Sequence, residues 1–243
     1  MPERSFSSAA ITGAAGGIGR ALARQLAEEG TRVHLADIDE KGLAVTAAEA
    51  PGASSYVADV ADHRDMDRFA AAVGEVDLVC LNAGVVSSEA GPPWTASPEE
   101  WDRVLGVNLT GVVNGLRSFV PGLLERGRPA HVLVTASLAG AATWPGGGPY
   151  SASKHAVLAV AEQAALHLAE SAVGVTVLCP ALVRSGMSES GEDPLDVARR
   201  ALAAVRSGTF AVIAQEWRSA VTDRAAILTS GRQPSAPIPT PDA

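Results

Sequence analysis

The 243-residue sequence predicts an α/β fold: one doubly wound domain with a seven-stranded parallel sheet and helices on both faces. Three observations predict it. Strand and helix signals alternate along the whole chain. The strand signals are near-continuous apolar runs, such as Val76-Asp77-Leu78-Val79-Cys80-Leu81 and His131-Val132-Leu133-Val134, as expected of strands covered on both sides. Finally, Thr12, Asp37, Asn82, Ser137 and Pro180 all fall at or just after strand ends, the edge where open α/β sheets hold ligands.

Taken in order, strands are expected at 7–12, 32–37, 54–58, 76–82, 130–135, 174–179 and 209–213. Helices are expected at 17–29, 39–49, 62–73, 98–125, 148–170, 194–206 and 215–229. Ser97-Pro98-Glu99-Glu100 supplies an N-cap serine, proline at the first helical position and glutamate at the third. Asp193-Pro194-Leu195-Asp196 repeats the pattern with an aspartate cap. No internal repeat is present. From Gly231 the chain carries Pro234, Pro237, Pro239 and Pro241, so 1–230 reads as the domain and 231–243 as a mobile tail.

A net charge of −8, with 27 acidic and 19 basic residues, argues against a nucleic-acid surface, which needs clustered Lys and Arg. No apolar run approaches a membrane span and the N-terminus carries no targeting pattern, so a cytoplasmic location is expected. Cys80 and Cys179 lie in apolar strand-like runs without metal-site spacing and read as buried free thiols; the five histidines suggest no metal site.

Residues 8–23 carry the first chemical signal. A short apolar strand ends at Thr12, Gly13, Gly17 and Gly19 follow, and then an apolar-periodic helix begins. Glycine serves where backbone must turn sharply or approach a phosphate closely, and the helix start offers unpaired N–H groups and a positive dipole end to an anion. The second strand runs into Asp37, about 20 residues beyond the loop, where a carboxylate can hydrogen-bond a ribose diol. It would repel the extra phosphate of NADP, and neither Gly16 nor Ile38 offers a cation, so NAD is expected. The alternative is that Asp37 only caps the next helix.

Tyr150 and Lys154 stand four residues apart in Y-S-A-S-K, on one helical face, with Ser137 thirteen residues upstream. A nearby ammonium is expected to lower the phenol pKa from about 10 and tune the tyrosine for proton transfer in alcohol–carbonyl chemistry. In that reading Ser137 donates a hydrogen bond to the substrate oxygen while Tyr150 exchanges its proton.

The set Thr12-Gly13-x-x-x-Gly17-Ile18-Gly19, Asn82-Ala83-Gly84, Asn108, Ser137 and Tyr150-x-x-x-Lys154 resembles the short-chain dehydrogenase/reductase family over roughly residues 6–215. The resemblance implies a Rossmann-type domain and reversible hydride transfer between NAD and a secondary alcohol or ketone. It implies a catalytic set of Asn108, Ser137, Tyr150 and Lys154, with Asn108 holding a water that links Lys154 to solvent, or else forming only a kink. Lys154 would also bind the nicotinamide ribose. Asp59-Val60 matches the family's adenine-contacting pair, and Asn82-Ala83-Gly84 is either a turn beside the cofactor or a catalytic element. After the sixth strand the family's P-G is replaced by Pro180-Ala181, followed by Leu182, Val183 and Ser185, whose hydroxyl can still reach the cofactor.

Leu138, Trp144, Leu182 and Met187, with Val85-Val86, suggest an apolar pocket around Ser137 and Tyr150 for an aromatic or alicyclic alcohol. Segment 184–192 reads as a lid, and Arg184 as either a carboxylate partner or a solvated arginine. Rival functions are a dehydratase or epimerase on the same scaffold and an NAD-sensing binding protein; the short stretch after the sixth strand argues against an epimerase, and the intact Asn108, Ser137, Tyr150 and Lys154 argue against a binding protein. The alanine-rich helix at 148–170, with that at 98–125, suggests a homodimer or homotetramer.

Overall fold

The structure, a computed structural model, describes residues 5–89 and 91–237. Pro239 and Pro241 of the expected tail, and the first four residues, lie outside that range. The strands are β1 (Ser8–Thr12), β2 (Arg32–Asp37), β3 (Ser54–Val57), β4 (Leu78–Leu81), β5 (Ala130–Thr135), β6 (Val173–Cys179) and β7 (Ala211–Ile213). They form one sheet in the order β3-β2-β1-β4-β5-β6-β7, with every pair parallel. Strand order reverses between β1 and β4, which opens a crevice at their carboxyl ends.

Helices α1 (Gly17–Glu28), α2 (Glu40–Glu49) and α8 (Pro194–Ser207) cover one face of the sheet. Helices α3 (His63–Val73), α5 (Gly111–Arg126) and α7 (Gly148–Leu168) cover the other. The two-residue period of the strands sorts the core between them. Ala9, Ile11, Leu78, Cys80, Leu133 and Leu178 pack with Leu22, Leu26, Leu43 and Leu202. Their alternates Ala10, Val79, Leu81, Val132, Val134 and Val177 pack with Met66, Phe69, Phe119 and Val157. Because both faces are buried, the strands carry apolar residues without the polar alternation of a solvated sheet. Both cysteines are buried and free. Among the described residues, no helix is long and apolar enough to cross a membrane.

Four elements differ from expectation. The helix expected over 98–125 is α4 (Pro98–Leu105), a π-helical turn Gly106–Thr110, and then α5. The π-turn swings Asn108 into the interior, where it is fully buried. Helix α6 (Leu138–Ala141) is a single turn whose N-cap, Ser137, accepts the Ala139 N–H. Strand β4 starts at Leu78 rather than 76, and Asp77 just before it uses its carboxylate to accept the N–H groups of Ser7 and Ser8, anchoring the start of β1. The helix expected at 215–229 opens with a 3-10 turn, Gln215–Trp217, before α9 (Arg218–Ser230).

Candidate active site

The glycine loop closes the carboxyl end of β1. Gly13 has φ +66°, in the left-handed region that favours glycine. A Cβ on Gly19 would lie 2.1 Å from the Gly13 carbonyl oxygen and 2.8 Å from Asn82 Nδ2. Gly17 faces Ser185, and the N-cap of α1 is Gly16, which brings no side-chain acceptor to the helix start. The first N–H groups of α1 therefore face the cleft with their dipole end, as an anion requires. Gly19→Ala is expected to weaken NADH binding more than tenfold, because the atom it meets is backbone and cannot swing aside. A fluorescence titration near wild-type affinity would contradict this.

Asp37 ends β2 at the rim of the same cleft. Its carboxylate accepts the Ala15 N–H at 3.0 Å and the Asp39 N–H at 3.1 Å. The helix-cap alternative is thereby resolved: Asp39, not Asp37, caps α2, accepting the N–H groups of Lys41 and Gly42. Arg20, directly after the glycine loop, donates to the Ala15 carbonyl and to Thr46. The glycine cradle, the uncapped helix start and the carboxylate at the β2 end fit the diphosphate and a ribose diol of a dinucleotide.

Asn82 and Ala83 form a turn that ties three strands together. The Thr12 hydroxyl accepts both of their N–H groups, at 3.0 and 3.2 Å. Asn82 Nδ2 donates to the Thr12 and Gly13 carbonyls, while its Oδ1 accepts the Thr135 hydroxyl. All side-chain groups of Asn82 are thus engaged in holding β1, β4 and β5 in register. The turn is a scaffold, and Gly84 at its end lies against Lys154 and Asn108.

Tyr150, Ser137 and Lys154 converge where β5 meets α7. The Ser137 side chain hydrogen-bonds the Tyr150 phenol. Lys154 Nζ lies 5.8 Å from the Tyr150 ring centroid and donates to the Thr135 carbonyl at 3.0 Å. One expectation is corrected here. The phenol pKa is raised, not lowered: burial disfavours the phenolate, and only the Ser137 hydrogen bond opposes that. Lys154 lies over the ring and is itself buried, so the loss of water acts on both groups. Burial brings the ammonium down to about 8. Lys154, rather than Tyr150, is the member of the pair that titrates close to neutrality.

Asn108 accepts the Val85 N–H at 2.7 Å and donates to the Val85 carbonyl and to Ser153 Oγ. Ser153 in turn donates to the Tyr150 carbonyl. Both amide hydrogens of Asn108 are therefore taken by protein groups, and the side chain fixes the loop after β4, at Val85, against the helix turn that carries Tyr150.

The cleft brings together Gly13, Gly17, Ile18, Asp37, Asn82, Gly84, Tyr150, Lys154, Pro180, Leu182, Val183, Ser185 and Met187. Gly19, Ala83, Asn108 and Ser137 are outside this lining, and Asn108 and Ser137 are buried. Asp59 and Val60 are outside its lining, at the end of β3, where Asp59 accepts the Ala61 N–H and Val60 is buried against Gly111. Leu138 and Trp144 are also outside it, and Trp144 is 51% exposed. Thr135, whose carbonyl holds Lys154, was not singled out from the sequence; its only signal was its position as the last strand residue before Ser137. Segment 182–192 is held by its own bonds. Arg184 N–H donates to the Glu192 carbonyl, Glu192 N–H to the Leu182 carbonyl, and Arg184 pairs with Asp193 at 2.6 Å. Arg184 is thus a solvent-exposed arginine whose charge is already paired within the chain.

Residues 7–195 match the family described as short chain dehydrogenase. A 1-deoxy-11-beta-hydroxypentalenate dehydrogenase of Streptomyces avermitilis is 36% identical over 232 residues, covering 92% of this chain and 84% of that one. An uncharacterised NAD-dependent oxidoreductase of Mycobacterium tuberculosis is 34% identical over 74% of this chain and 72% of its own. Among solved structures, a short chain dehydrogenase/reductase from Burkholderia phymatum in complex with NAD superposes with a TM-score of 0.90 at 31% identity, covering 98% and 99% of the two chains. The chain belongs to the short-chain dehydrogenase family. It is an NAD-dependent oxidoreductase acting between alcohols and ketones.

Proposed function

We propose that the substrate is an apolar secondary alcohol or its ketone, aromatic or alicyclic, and that Tyr150, Ser137 and Lys154 perform the proton chemistry. The observation that carries this reading is that Tyr150 and Lys154, backed by the buried Ser137, line a cleft whose exposed side chains Val86, Leu182 and Met187 are apolar. The Streptomyces relative is named for a hydroxyl-bearing substrate, which supports an alcohol as the group oxidised.

Gly13, Gly17, Ile18, Gly19, Asp37, Asn82, Gly84, Pro180, Val183 and Ser185 would hold NAD, with Asp59 and Val60 at its adenine end. When bound, the dinucleotide accepts or supplies the hydride and, oxidised, adds a positive charge that favours the phenolate. In oxidation Tyr150, ionised once NAD is bound, takes the alcohol proton at its phenolate oxygen. In reduction it returns that proton as negative charge develops on the carbonyl oxygen. Ser137 donates to the same oxygen, a bond that strengthens as the charge grows. Lys154, with its pKa near 8, exchanges protons with the tyrosine side of the cluster. Asn108 keeps the Tyr150 turn in place. A homodimer or homotetramer through the α4–α5 and α7 faces, and a cytoplasmic location, complete the reading.

The test is absorbance at the reduced-nicotinamide band with NAD and a panel of secondary alcohols. Turnover is expected with cyclohexanol and 1-phenylethanol at kcat/KM about tenfold above 2-propanol, the gain from burying a few extra methylenes. Equal or better use of 2-propanol would remove the apolar-pocket reading.

A further inference from the structure

Glu100 is a carboxylate buried to 6% exposure on α4, away from the Tyr150 cluster. At the third position of a helix capped by Ser97, a glutamate ordinarily reaches back to the cap's N–H. Here that task belongs to Glu89, which accepts both the Ser97 N–H at 2.6 Å and the Ser97 hydroxyl at 2.9 Å. The Glu100 carboxylate points instead at the loop after β4. Its Oε1 accepts the Ser87 hydroxyl at 2.9 Å, the Ser88 N–H at 2.6 Å and the Ser88 hydroxyl at 3.1 Å. Arg103 forks onto the same carboxylate, with Nε donating to Oε2 at 2.7 Å and Nη2 to Oε1 at 2.9 Å. Nη2 also donates to the Val86 carbonyl at 2.8 Å.

The residue before this clamp is held as well, since Asn108 takes both backbone groups of Val85. Residues 85–88 are therefore anchored along their length to α4 and the π-turn, and the one side chain of the four that lines the cleft is Val86. Gly84, two residues earlier, lies against Lys154 Nζ, which puts this wall beside the Tyr150 cluster. Arg103 keeps the Glu100 carboxyl well below the usual carboxylate range, so the clamp stays ionised across the working pH range.

We propose that Glu100 is a positioning residue that, through Ser87, Ser88 and Arg103, holds Val86 as a fixed apolar wall of the cleft and so sets which alcohols fit. The inference rests on the substrate reading above and deepens it. A charged side chain is buried in this helix because a loop carrying an apolar wall has polar backbone to satisfy, and an apolar residue at position 100 would leave Ser88 N–H without its acceptor.

The test uses cyclohexanol and 2-decalol with the whole chain. Glu100→Gln keeps the shape and removes the charge. It is expected to raise KM for cyclohexanol about tenfold, the effect of losing a charge-assisted hydrogen bond, while kcat and NADH affinity stay within about twofold. The Ser88 amide is expected to exchange with deuterium at least about tenfold faster as its acceptor weakens. Val86→Ala, at a 39% exposed position that tolerates truncation, is expected to raise the 2-decalol to cyclohexanol ratio of kcat/KM about fivefold, since a smaller wall admits the larger ring.

A Glu100→Gln protein whose NADH affinity falls as much as its alcohol affinity would show a merely structural residue and overturn the proposal. An unchanged alcohol ratio in Val86→Ala would do the same. Should Glu100→Gln fail to fold, Arg103→Met, at an exposed side chain, breaks the same clamp at the Val86 carbonyl and is judged by the same KM shift. If the unsubstituted enzyme oxidises neither alcohol, the substrate reading fails instead, and exchange at Ser88 alone then decides the clamp.

Discussion

Tyr150→Phe is expected to lower kcat/KM for alcohol oxidation about a thousandfold, the scale of one positioned acid–base group. The substitution removes a single oxygen. The ring keeps its place on α7, Lys154 Nζ can still lie over its face, and the glycine cradle is untouched. NADH affinity should therefore stay within about twofold of wild type, which separates lost proton transfer from lost binding. Steady-state kinetics at the reduced-nicotinamide band, with a fluorescence titration of NADH, checks both halves. A variant keeping a tenth of the turnover would remove the tyrosine from the reaction.

Lys154→Met is expected to have an effect of similar size on turnover and a second one on stability. Because the ammonium titrates near 8, wild-type alcohol oxidation should rise as pH increases through that value, and the rise should vanish in the variant. For stability the sign follows from the lowered pKa. In the unfolded chain the lysine holds its proton to about pH 10.4, while the folded protein releases it near 8. Between those values the unfolded state binds more protons, so the contribution of Lys154 is full above the upper value and lost as pH falls to the lower one. From pH 8 to 9.5 the wild type should gain about 2 kcal/mol over the variant, at about 1.36 kcal/mol per unit. Urea denaturation of both proteins at the two pH values measures the difference directly. A flat difference would mean that the buried lysine keeps its proton throughout this range and that its pKa is not lowered.

How much of this was legible in advance varies from residue to residue. Gly13, Gly17 and Gly19 could be read because their requirement is local: a turn that the backbone of other residues resists and a spacing too small for a Cβ. The strand–helix alternation was legible for the same reason, since period and capping act over a few residues. The helix over 98–125 was read as continuous because its periodicity is helical throughout. Only the need to satisfy the Val85 backbone, brought near by β4, makes Asn108 turn inward and the helix take a π-turn there. Ser97 was correctly read as a cap, but the partner of its N–H is Glu89 rather than Glu100, because a loop eight residues earlier folds back onto the helix start.

By itself the sequence determined the sheet, the glycine cradle, and that Tyr150 and Lys154 share a helical face, because each is a matter of spacing along one chain segment. Tertiary structure decided the electrostatics. Packing removes water from the phenol and the ammonium, and a pKa depends on that loss as much as on a neighbour's charge, so the lysine rather than the tyrosine is brought toward neutrality. It also decided that Asp39 takes the cap and leaves Asp37 at the cleft, a choice between two carboxylates two residues apart that only the position of Ala15 N–H could make.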